Sequence, residues 1–343
     1  MATILLRSPY YETHSQAYVS PNVAKSATLV LSVNGTQISE MSKDTVLSGT
    51  SGQETGTVAF EIADLCRDYL DITFNNSYTS QSIAITGTLT FKSETVDDIN
   101  TGSAPSTVGN AISISHTGLD GYYEFMEGLG TGQNSAKTVA NFDVLQDNTD
   151  LYYPYNTSGV IPYWSGSAIV YDTFPATDPV PNNTQTEKKT VVNTVFKIHR
   201  FCSRYEAYKV TFVNKYGALQ DLYFSGKTIE NINVSKTTFK RNIANSSFEY
   251  DKQKHSIRQF NALANETIIL NSPPMSYDNV NEAIKQLLVS EQVWIRKEEG
   301  GSTQTVPINI TDTQQTFKTG LNDKIVQYTI TAEYAFDMIS NIR

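Results

Sequence analysis

The run Phe196–Arg241, FKIHRFCSRYEAYKVTFVNKYGALQDLYFSGKTIENINVSKTTFKR, constrains the fold more than any other stretch of the chain. Apolar and polar residues alternate through KVTFVN, a turn-like Lys215-Tyr216-Gly217 follows, and LQDLYFSG resumes the alternation. A second alternating run, ENINVSKTTF, comes next. A period of two puts every other side chain on one face. These segments therefore predict half-buried strands in antiparallel pairing, bounded by Gly and Asn. Asn214 and Asp221 are expected to organise the turn through side-chain-to-backbone hydrogen bonds. Such a stretch supplies scaffold and sheet edges, and it carries no nucleophile, metal cluster or phosphate loop.

Strand signals of the same kind dominate both ends. Within residues 1–93, ATLVLSVNG ends in the turn-forming pair Asn34-Gly35, VAFEI alternates, and SIAITGTLTF makes a strand pair around Gly87. Between them, IADLCRDYL predicts roughly two helical turns with Ile62, Leu65, Cys66 and Tyr69 inward. Short strands at this spacing predict an immunoglobulin-like sandwich. Residues 94–193 are rich in Gly, Pro, Ser and Asn around short apolar runs, which predicts a loop-rich insertion or small β domain. Its aromatic residues Tyr152, Tyr153, Tyr155, Tyr163 and Trp164 suit the core of a small module, or contact with a partner or sugar. In 194–343, ETIILN is a strand stopped by Pro273-Pro274. A helix near 278–290, capped by Asp278 or Asn279, would carry Val280, Ala283, Ile284, Leu287 and Leu288 across a sheet. IVQYTITAEYAF reads as one long final strand. The expected fold is mainly β: tandem antiparallel immunoglobulin-like sandwiches, a loop-rich β insertion and one or two short helices.

Few residues of the chain stand in a pattern that chemistry requires. A net charge of −9 over 343 residues argues against general nucleic-acid binding, which needs a concentrated basic face. The apolar stretch in MATILLRSP is too short for a signal peptide, and nothing approaches a membrane span, so synthesis in the cytoplasm is expected. Cys66 and Cys202 each sit beside apolar residues and fit small buried hydrophobes rather than a secreted disulfide framework. His14, His116, His199 and His255 match no zinc or metalloprotease spacing and read as surface or strand residues. The Gly-rich loop at 128–138 lacks the spacing of a phosphate loop, and VSKTTFK has no partner motif for Ser-Lys catalysis. DGYYE and DNTD lack the ligand series of an EF-hand. Asp97, Asp98, Asp120, Glu124 and Glu127 cluster in sequence around Tyr122 and Tyr123. Two carboxylates facing a groove would suit glycoside hydrolysis, but no pairing of nucleophile and base accompanies them. No catalytic, metal-binding or cofactor-binding residue is assigned.

Three groups of segments, RSPYYE with GTVAFEIADLCRDYLDITF, VTFVNKYGALQDLYFSG, and LLVSEQVWI with PINIT and LNDKIVQYTITAEYAFDMISNIR, together resemble virion proteins of tailed bacteriophages. The resemblance is to tail hub, distal-tail and adaptor-ring proteins of crAss-like and related phages of Bacteroidota, and it covers most of both termini. It implies a multi-copy structural subunit of the virion tail. Its expected partners are copies of itself in a ring, other tail proteins, and tail fibres or host surface glycan. Candidate interface elements are the Tyr216–Phe224 strand-turn, the 120–166 loops and the terminal strand Val326–Phe336. Tyr163, Trp164, Tyr216, Leu219 and Tyr223 are the candidate contacts. The alternatives are a fibre-associated carbohydrate- or receptor-binding module and a tail-associated depolymerase.

Overall fold

The computed structural model describes residues 2–19, 22–79, 81–93, 105–121, 144–165, 168–178, 186–242, 247, 249, 253–299, 302–312, 314, 325–336 and 338–339. It is mainly β, with several largely antiparallel sheets and, among the described residues, two helices.

Alternation is cleanest in strand β3 (Ser26–Val33), where burial switches at every residue. It lies in a five-stranded sheet with β1 (Ala2–Leu5), β4 (Thr36–Asp44), β7 (Ser82–Ser93) and β8 (Ser106–Leu119), in the order β1-β8-β7-β3-β4. Asn34 and Gly35 both have positive φ, 50° and 82°, and make the tight β3–β4 turn that the sequence predicts. A second sheet, β2-β6-β5, uses β2 (Tyr11–Ala17), β5 (Val46–Ser48) and β6 (Thr55–Glu61). Leu29, Leu31, Ile85 and Phe91 from the first sheet meet Val58 and Phe60 from the second in one core, so the two form a sandwich. Helix α1 (Ala63–Arg67) closes one side, burying Ala63 and Cys66 beside Ile62. It stops at Arg67, before a further turn could bring Tyr69 inward. Tyr69 is therefore exposed, and Leu65, within the helix but off the face that buries Ala63 and Cys66, is exposed too, both contrary to the sequence expectation.

A polar tie joins the two sheets. Glu12 on β2 is buried and bonds the rings of His116 on β8 at 2.7 Å and His14 at 2.6 Å. Burial would raise the Glu12 pKa, but the hydrogen bonds to His116 and His14 outweigh it and hold the carboxyl below its ordinary value. A depressed carboxylate pKa contributes stability that is present above the unfolded value and lost as pH falls through the folded one. Glu12→Gln is therefore expected to cost about 1–3 kcal/mol near neutral pH. The difference from the unaltered protein should shrink towards acid. Urea melts at about pH 7 and about pH 3 would check this, and a deficit independent of pH would refute it.

Strand pairing crosses both of the module limits drawn from sequence. β8 pairs antiparallel with β7 along its length, so the first sandwich continues well past residue 93. A middle module follows, made of β9 (Asp150–Pro154), β10 (Gly159–Trp164), β11 (Ile169–Phe174), β12 (Thr186–Val191) and β13 (Thr194–Phe201). β10 and β11 form a hairpin, while β13 pairs with β12 and runs parallel to β9. β13 therefore belongs with the strands before residue 193. Leu151, Tyr153, Ile161, Phe174, Phe196 and Ile198 form this module's core.

The remaining chain builds an eight-stranded sheet, β15-β14-β19-β20-β22-β17-β16, with β23 beside β17. Its strands are β14 (Tyr208–Val213), β15 (Leu219–Phe224), β16 (Ile229–Lys240), β17 (Ile257–Asn271), β19 (Val293–Glu299), β20 (Ser302–Ile310), β22 (Thr329–Tyr334) and β23 (Met338–Ile339). A short pair, β18 (Met275–Ser276) with β21 (Ile325–Val326), lies outside it. Helix α2 (Tyr277–Val289) packs across one face of the large sheet as predicted. Val280, Ala283, Ile284 and Leu287 meet Val210, Phe212, Ile268, Leu270 and Ile330, and Leu288 is partly buried against the same core. The helix begins at Tyr277, so Asp278 and Asn279 fall in its first turn instead of preceding it. The expected single final strand is broken at Gln327-Tyr328. There the Tyr328 amide donates to Ser272 Oγ at 2.8 Å and its buried hydroxyl bonds Asn281 on α2.

Candidate functional site

The β14–β15 hairpin is half-buried by its alternation, yet every residue of its two strands except Tyr208 is buried in fact. Val210, Phe212, Leu222 and Phe224 face α2. The opposite face carries Lys209, Thr211 and Val213 against Tyr223, Asp221 and Leu219, which stand directly across the strand pair. This second face is covered by the middle module through Tyr153 and Phe174 near Tyr223, and by Ile72 and Phe74 near Leu219. The polar residues there must find partners, and they do. Lys209 Nζ donates to Asn76 Oδ1 at 3.1 Å and to the Tyr78 hydroxyl at 2.5 Å, and lies 3.7 Å from Asp221 Oδ2. Asp221 accepts from Thr211 Oγ1 at 2.6 Å and from Tyr78 at 2.5 Å. Burial, reinforced by Asp221, pushes the Tyr78 phenol far above its ordinary pKa and keeps it a donor.

Asn214 organises the turn as the sequence predicts: its Oδ1 accepts the amides of Tyr216 and Ala218 at 3.0 and 3.1 Å. Its amide also donates to the Leu145 carbonyl at 2.6 Å, tying the turn to the middle module. Asp221 does not take the expected turn role, because its carboxylate bonds side chains on the covered face. Further round the junction, Arg7 grips both oxygens of Asp120 at 2.6 and 2.9 Å. Glu291 receives both Arg7 and Arg67, linking the sandwich to the loop after α2.

Among the candidate contacts, Trp164 and Tyr216 are buried with Leu5, Leu119 and Leu145, Leu219 with Trp294, and Tyr223 with Tyr153. Tyr163 is half-buried against the middle core. The chain's own modules cover both faces of the hairpin, so these four buried residues are engaged in intramolecular packing and lie off the free surface. Residues 122–143 and 166 of the candidate loops lie outside the described residues, as do Asp97, Asp98, Tyr122, Tyr123, Glu124, Glu127 and the Gly-rich loop.

The exposed apolar surface is elsewhere. β16 is exposed along its entire length on both faces, which corrects the half-buried reading of ENINVSKTTF. Ile229, Ile232, Val234 and Phe239 of β16 and Ile257, Phe260 and Leu263 of β17 are 42–59% exposed. Ile232 and Val234 prolong the sheet face that buries Ile268 and Leu270 under α2. Between Ser235/Leu263 and Thr237/Phe260 the partner strand advances by one extra residue, a β-bulge in β17. Beyond it, Phe239 and Phe260 meet edge-to-face at 5.6 Å on the opposite side of the ribbon. One signal in the sequence marks this: Ile232 and Val234 have even numbers, while Ile229 and Phe239 are odd. No single buried face can hold all four. Among the described residues β16 pairs with β17 alone, which leaves its outer edge open.

Several of the remaining titratable groups among the described residues are bonded within the fold. His14 and His116 are taken up by Glu12. The His199 ring is bonded by Asp150 at 2.6 Å and Thr186 at 3.2 Å, and His255 is exposed outside any strand. Cys66 is buried, which pushes its thiol up to about 12, whereas Cys202 is exposed; both are free. Exposure of Cys202 corrects its reading as a buried hydrophobe, since the strand ends at Phe201. A cleft of about 630 Å³ between the middle module and the large sheet is lined by Asn76, Tyr78, Asn156, Lys209, Tyr223 and Arg296, among others. Tyr223 is buried and Tyr78 half-buried, so neither offers the open stacking ring that a carbohydrate site needs. Among the described residues no cluster of His, Cys, Asp and Glu is placed to hold a metal, and no helix is long and apolar enough to cross a membrane. No protein-family model matches this chain, and no curated protein matches it significantly.

Proposed function

We propose that this chain is a multi-copy structural subunit of a bacteriophage tail. It would act in the tail hub, the distal tail or an adaptor ring that connects tail layers or anchors fibres. Made in the host cytoplasm, it resides in the virion, with copies of itself and other tail proteins as partners. The observation that carries this reading is the β16–β17 ribbon, an apolar arm with an open edge on a body whose modules are cross-tied by buried polar groups. An open, partly apolar edge strand is an aggregation hazard that a closed assembly removes by covering it. A rigid body suits the same role, because a ring transmits geometry from one subunit to the next.

The double substitution Phe239→Ser with Phe260→Ser tests the reading. Both rings are 44% exposed and meet one another across the ribbon, so the thermal and urea stability of the isolated protein should fall by no more than about 1–2 kcal/mol, the worth of one half-exposed aromatic pair. Incorporation into phage particles, measured by mass spectrometry of purified virions after complementation, should fall at least about tenfold, as when an interface anchor is lost. Normal incorporation of the double variant, or absence of the unaltered chain from virions, would refute the proposal.

A further inference from the structure

The open edge of β16 is complementary to itself. Its charged residues are Glu230 near one end and Lys236 and Lys240 towards the other. Two copies of the strand laid antiparallel about a two-fold axis through Ser235 place Glu230 of each opposite Lys240 of the other. Opposed residues in an antiparallel pair share a face, so the two charges point to the same side. In that register Ile232 faces Thr238, Val234 faces Lys236, Asn231 faces Phe239, and no like charges stand directly opposite one another. Moving by one step of the pleat in one direction removes both ion pairs. A step in the other direction sets Lys236 against its own counterpart. A larger shift pairs Glu230 with Lys236 but leaves Phe239 and Lys240 outside the ladder. The β-bulge lies in β17, so the spacing of β16 is unbroken from Glu230 to Lys240 and the whole strand can enter the ladder. Glu230 already reaches Lys297 at 3.4 Å from its own chain and is still about half exposed, so it can serve both lysines.

We propose that β16 pairs with β16 of a second copy of this chain in the register that joins Glu230 to Lys240, continuing the two large sheets into one. The pairing is isologous, so each contact occurs twice and the edge joins copies in pairs, which leaves contacts between successive pairs of a ring to other surfaces. It deepens the assembly reading by naming the occupant of the ribbon's edge, and it rests on that reading only for its place in the virion.

Sedimentation of the full-length protein across about 1–100 μM, a range that spans ordinary self-association, tests it. The expected result is a dimer that Glu230→Lys and Lys240→Glu each weaken at least about tenfold, because two attractions become two repulsions. The combined variant should return to within about threefold of the unaltered protein. Lys236→Glu should leave dimerisation unchanged, since Lys236 faces Val234. A monomer across the range, failure of the combined variant to recover, or equal damage from Lys236→Glu would overturn the pairing. A monomer that still enters virions overturns the pairing and spares the tail role; a register-specific dimer absent from virions does the reverse.

Discussion

Asp221→Ala should cost about 3–5 kcal/mol of folding stability, the usual loss when one member of a buried ion pair is removed. The carboxylate is almost inaccessible, and its neighbour Lys209 is buried too. Removing it leaves the Lys209 ammonium without a counter-charge, and takes the acceptor from Thr211 and Tyr78 together. The pair itself need not be strongly stabilising. Two charges taken from water cost about as much as their mutual attraction returns, so an apolar replacement of both is tolerated far better than the loss of one. Lys209→Met combined with Asp221→Leu should therefore recover at least about half of the loss, with the coupling read from a double-mutant cycle. Urea denaturation monitored through Trp294, which borders Phe74 on this face, supplies the measurement. Equal stability of the alanine variant and the unaltered protein would mean that the second face of β14–β15 is wet.

That face also shows what could be read from the sequence and what could not. Period two identified the β14 and β15 strands and the turn between them, because alternation and a Gly turn are local signals. The same pattern implied that Lys209, Thr211 and Asp221 face water. Nothing near them in sequence says otherwise: their cover comes from Asn76 and Tyr78, far earlier in the chain, and from the middle module. The α2 stripe from Val280 to Leu287 was legible in both period and partner, since a helix with one apolar face must lie on a sheet. The limit at residue 93 separates β7 from its own partner β8, because a change of composition does not tell whether the strands on either side of it pair. Trp164, Tyr216, Leu219 and Tyr223 are large and aromatic or apolar, which suits an interface and a core alike; they make their contacts inside the chain.

The ribbon inverts this lesson. In β14–β15 polar residues that looked exposed are buried by distant parts of the chain. In β16–β17 apolar residues that looked buried have no such cover among the described residues. Burial on the first hairpin comes from three modules converging on it. On the second, Ile268 and Leu270 are buried with α2, whereas Ile232 and Val234 further along the same face are not. A chain that carries Ile232, Val234, Phe239 and Phe260 in that position has a solubility cost in the free state, which an assembled state removes.

Gly217→Ala should destabilise the fold by about 3 kcal/mol or more, and the reason is the closeness of two backbones as much as a dihedral angle. Gly217 has φ of +77°, a conformation that costs an L-residue about 1–2 kcal/mol. A Cβ there would also lie 2.0 Å from the Asp120 carbonyl oxygen, far inside contact distance. Neither side can retreat cheaply. Asp120 is held by the two-pronged bond from Arg7, and Gly121 beside it already abuts the Tyr216 backbone. The turn is held from the other side by Asn214. Gly35 supplies the control, with φ of +82° and nothing within 4 Å of its would-be Cβ. Gly35→Ala should lose only the dihedral contribution, about 1–2 kcal/mol. The excess at Gly217 then measures how tightly the sandwich is seated on the β14–β15 turn. Equal losses at the two glycines, read from paired urea melts, would mean that the contact between Asp120 and Gly217 gives way freely and that the junction is soft.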